Sequence, residues 1–78
     1  MDMTVRDLFS NPSFDVNCRY VLYDCNDGRK WNDAPILFVS GNPGEELTES
    51  MMNKRIRYIT IDRENNHLVV EVIDEIEY

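Results

Sequence analysis

The chain has 78 residues, enough for one small domain and no second core. Hydrophobic residues make up 42% and aromatics 10%, an ordinary globular composition rather than that of a disordered tail. Fifteen acids against eight bases give a net charge of −7, which disfavours direct binding to nucleic acid or to an anionic membrane surface and leaves a basic protein partner, a cation or plain solubility.

The opening Met1-Asp2-Met3-Thr4 has neither the basic nor the apolar stretch of a secretory signal. Uninterrupted apolar runs such as Ile36-Leu37-Phe38-Val39 fall far short of the ~20 residues a membrane span needs. Two cysteines, Cys18 and Cys25, are too few for a disulfide framework, so both are read as reduced thiols. The expectation is a cytoplasmic protein.

Thr4-Val5-Arg6-Asp7 predicts a helix start, with Thr4 and Asp7 in a capping box and Val5, Leu8 and Phe9 on one apolar stripe. Asn11-Pro12 ends it, because the residue before proline is pushed out of the α region. From Phe14 the period becomes two: Phe14, Val16, Cys18, Tyr20 and Leu22 alternate with Asp15, Asn17 and Arg19, predicting a strand to Tyr23. Asn26-Asp27-Gly28 is a turn signal in a polar loop, and Ala34 to Val39 predicts a second strand paired with the first.

Glu45 to Met52 predicts a second short helix, with glutamates in its first turn and Asn53-Lys54-Arg55 at its end. The last third predicts a hairpin: Arg55 to Asp62 and Leu68 to Ile76 as strands, with Asn65-Asn66 at left-handed turn positions. The order α-β-β-α-β-β predicts an α+β fold of two layers, with two short helices on one face of a four-stranded, mostly antiparallel sheet. The other face is left for water or a partner.

The chemistry-bearing residues are sparse. His67, the single histidine, stands beside a predicted turn, where a solvated ring is the ordinary reading. Cys18 reads as a core residue, and Asp24 and Asp27 beside Cys25 would raise its pKa rather than activate it. Cys18, Cys25 and His67 lack the spacing and the fourth ligand of a zinc site. The Asp24-to-Gly28 stretch lacks the alternation of a calcium loop, and Gly41-Asn42-Pro43-Gly44 lacks the lysine of a phosphate loop. No catalytic residue, metal or cofactor is assigned.

The acids are the stronger signal. Residues 41–78 hold nine acids (Glu45, Glu46, Glu49, Asp62, Glu64, Glu71, Asp74, Glu75, Glu77) and four bases, so net −5, whereas residues 1–40 are net −2. Same-face residues of a strand repeat every ~6.7 Å, on the order of the phosphate spacing of a nucleic-acid strand, whose rise is ~3.4 Å per nucleotide. Glu71, Glu75 and Glu77 share a face and could present such a row, and with Asp74 they are the candidate partner-binding residues, set against the plainer reading of a charged strand that keeps a sheet edge from aggregating. Arg55 and Arg57 are read as cross-strand partners for acids of the last strand. Trp31, between Lys30 and Asn32 in a polar loop, either caps the core or anchors a partner.

Thr4-Val5-Arg6-Asp7-Leu8-Phe9, Tyr20-Val21-Leu22-Tyr23-Asp24 and the hairpin from Ile59-Thr60-Ile61-Asp62 to His67-Leu68-Val69-Val70-Glu71-Val72 resemble small accessory proteins of Gram-positive bacteria and their phages or mobile elements. That resemblance implies no fixed activity. The leading expectation is a non-enzymatic acidic interaction module, of the kind a phage uses to occupy the basic nucleic-acid-binding groove of a host defence protein. The alternative is a small self-associating accessory protein that forms a homo-oligomer through an exposed strand or sheet face.

Overall fold

A computed structural model describes residues 3–15 and 17–74. Five strands and two helices follow in the order β1 (Met3–Thr4), α1 (Val5–Phe9), β2 (Tyr20–Asp24), β3 (Ile36–Val39), α2 (Glu49–Met52), β4 (Arg55–Asp62) and β5 (His67–Ile73). Two turns of 3-10 helix, Asn26–Gly28 and Trp31–Asp33, stand between β2 and β3.

The strands form one mixed sheet in the order β1-β4-β5-β2-β3. Each expected hairpin is present, β2 with β3 and β4 with β5, both antiparallel. The hairpins join side by side through β2 and β5, which run parallel, with Leu22 opposite Val70. This corrects the expected four-stranded, mostly antiparallel sheet in two respects. Alternation along a strand shows which side chains share a face, but not which hairpin edges meet or in which direction. The fifth strand, β1, is only two residues long, too short for any periodicity, and pairs Met3 with Ile56 and Thr4 with Arg55. The Val5 amide continues that pairing onto the Lys54 carbonyl at 3.0 Å.

The capping box forms as the sequence predicts: the Asp7 amide donates to Thr4 Oγ1 at 3.1 Å, and the Thr4 amide to Asp7 Oδ2 at 3.0 Å. The expected strand from Phe14 shortens to Tyr20–Asp24. Before it, Asn11 and Asp15 take the amides of Ser13 and Asn17 on their own side chains, both at 2.9 Å, and such local bonds compete with an extended ladder. Phe14 still reaches the core by stacking on Phe9. The second helix begins at Glu49 rather than Glu45, because Thr48 caps it by accepting from the Met51 amide at 3.1 Å. Glu45 instead accepts from the Val39 amide at 3.1 Å.

Both helices lie on one face. There Val5 and Leu8 pack with Tyr20, Leu22, Phe38, Ile56, Val70 and Val72, and Met51 and Met52 close the rim. The other face carries a smaller core of Val21, Tyr23, Cys25 and Val69, covered by Trp31, Ala34, Val39 and Ile73. In the β4–β5 turn Asn66 takes the left-handed conformation (φ 59) while Asn65 does not. Leu22, on β2 between β3 and β5, is among the largest fully buried side chains. Leu22→Ala is expected to lower unfolding free energy by about 2–5 kcal/mol in urea titration.

Candidate interaction surface

The loop between β2 and β3 folds back over the second sheet face, and its ties are polar. Asp27 (φ 66) and Gly28 (φ 79) reverse the chain after β2. Asn26 is held from both sides: its Nδ2 donates to Asp24 Oδ1 at 2.6 Å and to Asp74 Oδ2 at 3.1 Å, and its Oδ1 accepts from the Asp74 amide at 2.9 Å. Arg29 Nε donates to the Asp24 carbonyl at 3.0 Å.

The decisive tie is Glu71. Its side chain lies on the loop face of β5 and the residue is only 4% exposed. Arg57 donates to Glu71 Oε1 from Nε at 3.2 Å and from Nη2 at 2.8 Å, and the Trp31 amide donates to Oε2 at 2.9 Å. Arg57 also donates to the Arg29 carbonyl at 2.6 Å and the Cys25 carbonyl at 3.4 Å. The β4 register shifts between Ile56 and Tyr58, so Arg57 is the extra residue of a bulge, a position that re-aims a side chain. One carboxylate and one guanidinium thus fasten the Trp31 loop to two neighbouring strands.

Trp31 is half-buried by this clamp, its ring tilted against Tyr23 with centroids 5.6 Å apart. It caps the smaller core, as one of its two readings had it, and one side of the ring stays partly open. Around it lie two adjoining shallow hollows, both bordered by Trp31 and Ile61. Ile36 borders one and Tyr58 the other. Ile36 (56%), Tyr58 (54%) and Ile61 (54%) are the large apolar residues left most exposed among those described. The rim carries Lys30, Arg63 and Glu64, all exposed.

The acidic row is redistributed. Glu71 points inward onto Arg57, which fulfils the cross-strand pairing of Arg57 but removes Glu71 from any solvent-facing row. Asp74 is exposed but engaged by Lys54 and Asn26, and Lys54 holds its carboxyl below the usual aspartate range. Glu75 and Glu77 lie outside the described residues. Ile36, Tyr58 and Ile61 escaped sequence reading because their alternation fits a buried strand equally well; their exposure follows from where β3 and β4 fall in the sheet.

His67 differs from the expected solvated ring. It is half-buried, stacked near Tyr23, whose hydroxyl lies 3.2 Å from His67 Nε2, and Asp62 Oδ2 is 3.8 Å from the same nitrogen. Burial, then the Asp62 charge, raises the Tyr23 pKa. Asp62 is held below its ordinary value chiefly by the Asn65 side-chain amide, 2.8 Å away, and by the Asn65 and Glu64 amides. The group is a turn clamp: its carboxylate is spent on closing the β4–β5 reversal. Burial raises the Cys25 pKa further from reactivity, and Glu71 adds to it. No group of three metal-ligating side chains gathers among the described residues, and no helix there is long and apolar enough to cross a membrane. Comparison with known protein families, with curated proteins and with solved structures found no match.

Two predictions test the clamps. Glu71→Ala leaves the Arg57 charge half-buried and the Trp31 amide without an acceptor, and is expected to cost about 2–4 kcal/mol. Arg57→Met combined with Glu71→Leu should recover most of that stability, yet release the loop, read as a red shift in Trp31 fluorescence in both variants. Asp62 acts through a lowered folded pKa, so its stabilisation is complete above the unfolded value near pH ~4 and disappears as pH falls through the folded one. From about pH 5 to about pH 2 the melting temperature of Asp62→Asn should fall less than that of the parent chain.

Proposed function

We propose that the chain is a non-enzymatic protein-interaction module whose contact surface is the Trp31 face. The observation that carries this reading is the placement of exposed Ile36 and Tyr58 at hollows that share Trp31, on a loop fastened to the buried Glu71 carboxylate and its Arg57 partner. A tryptophan with an aromatic and aliphatic surround, fixed in place before contact, is what a binding hot spot needs. The net charge of −7 favours a partner of opposite sign on approach, since long-range fields act on the encounter more than on the final contact. The occupant is accordingly a protein presenting an apolar ridge within a basic surface.

The narrower reading, a phage or mobile-element inhibitor that fills a basic nucleic-acid-binding groove with a row of carboxylates, has less support. With Glu71 turned inward and Asp74 paired to Lys54, that row would rest on Glu75 and Glu77.

The two readings separate by salt and by variant. With the tagged full chain as bait in lysate, a partner held by the Trp31 face should survive moderate salt. Its affinity should drop at least tenfold, about 1.4 kcal/mol, in Ile36→Asp and in Tyr58→Asp, measured on the purified partner. A partner released by moderate salt and lost only in Glu75→Lys with Glu77→Lys would overturn the Trp31 reading in favour of the carboxylate row.

A further inference from the structure

The two edges of the sheet are finished differently. At β3, Pro35 precedes the strand and the Val39 amide is taken by the Glu45 carboxylate at 3.1 Å, so the edge is partly closed by its own chain. At the other edge the described residues of β1 cover β4 at Arg55 and Ile56. Among the described residues no strand pairs with the outer side of residues 58–62. That segment reads Tyr58-Ile59-Thr60-Ile61-Asp62: strong strand formers with no lysine or proline to discourage pairing. By register Tyr58 shares the loop face with Glu71, and Ile61 shares the helix face with Leu68. Each is 54% exposed, so apolar surface flanks the open edge on both sides.

We propose that this edge pairs with the same edge of a second copy, antiparallel, about a two-fold axis at Thr60. Such a pair keeps the loop faces of both copies on one side of the joined sheet only if the axis passes through a residue; an axis between residues would set a helix-face side chain beside a loop-face one. Centred on Thr60, the pairing engages all five residues that no described strand pairs on the outer side: Tyr58 opposite Asp62 of the second copy, Ile59 opposite its Ile61, and Thr60 opposite its Thr60. Centred on Ile59 it would need Ile56, which Met3 already holds. Centred on Ile61 it would need Glu64, which lies in the turn.

The segment is complementary to itself. Facing β-branched pairs and a threonine pair are favourable cross-strand neighbours. Asp62 is its one charged residue and would face Tyr58 rather than another acid, its carboxylate already satisfied by Asn65 and Glu64. The second copy's chain turns towards its own β5 at Asp62, before it reaches the place that Met3 holds. The seam is five residues long, at the low end of interface sizes, so the dimer is weak. Two chains of −7 repel, so added salt strengthens it.

Sedimentation equilibrium of the full chain, from micromolar to millimolar concentration at low and high salt, tests this directly. The expected result is a monomer–dimer equilibrium that tightens with salt. Ile61→Lys should weaken it at least tenfold with an unchanged melting temperature. In a Cys18→Ser background, Thr60→Cys should form a disulfide-linked dimer under mild oxidation, since the two-fold axis sets the two residue-60 side chains directly opposite each other on one face. A strict monomer, a dimer indifferent to Ile61→Lys, or a dimer in which Thr60→Cys does not cross-link would each overturn the proposal. Ile36→Asp, at the opposite edge, should leave the association unchanged, so loss of foreign capture in that variant and loss of the dimer are separate outcomes.

Discussion

The placement of the Trp31 loop depends on one buried carboxylate. Glu71 sits in the middle of β5, on a face otherwise built from Val69, Ile73 and their neighbours, where an ionised side chain is costly unless every lone pair is used. It is tolerated because Arg57 meets one oxygen twice and the Trp31 amide meets the other. An apolar residue of similar size would satisfy the core at least as well. What it would not do is fix where residues 26–33 lie, because hydrophobic contact is non-directional and three oriented N–H bonds are not. The ion pair therefore serves position more than stability.

That distinction explains which parts of the molecule the sequence disclosed. Local rules reach local features: Thr4 and Asp7 form their capping box, Asp27 and Gly28 reverse the chain, and the hairpin from Arg55 closes over Asp62 and Asn66. Features set by distant segments were not accessible. Nothing in β2 or β5 alone says that they lie parallel, and Met3–Thr4 becomes a strand only because Arg55 and Ile56 offer an edge. The stretch from Phe14 had the right alternation, but Asn11 and Asp15 bonded to their own backbone first.

The candidate site was half legible for the same reason. A lone acid interrupting an apolar face, with Arg57 on the neighbouring strand, is the sequence trace of an internal clamp, but it has the same appearance as an acid displayed for a partner. The carboxylate spacing along an ideal strand is identical in both cases, and only burial separates them. Trp31 could be singled out by its polar surroundings. Ile36, Tyr58 and Ile61 could not, because each belongs to a strand whose pattern predicts burial, and their exposure is a consequence of edge position and of a loop that covers only part of the face.

Partial coverage is also what joins the two surfaces. The loop ends its cover at Trp31, and from there to the outer side of β4 the loop face of the sheet is open along Tyr58 and Thr60. A longer loop would bury this strip and with it both the hollows and the free edge; a looser one would surrender the rigid tryptophan. The bulge at Arg57 contributes to both ends of the arrangement. It turns the guanidinium inward to Glu71, and beyond it no strand among the described residues covers the outer side of the apolar half of β4. Within that strip Asp62 is the single acid of residues 58–62, and its carboxylate is already engaged within its own turn, so like charge opposes close approach of another chain there only weakly.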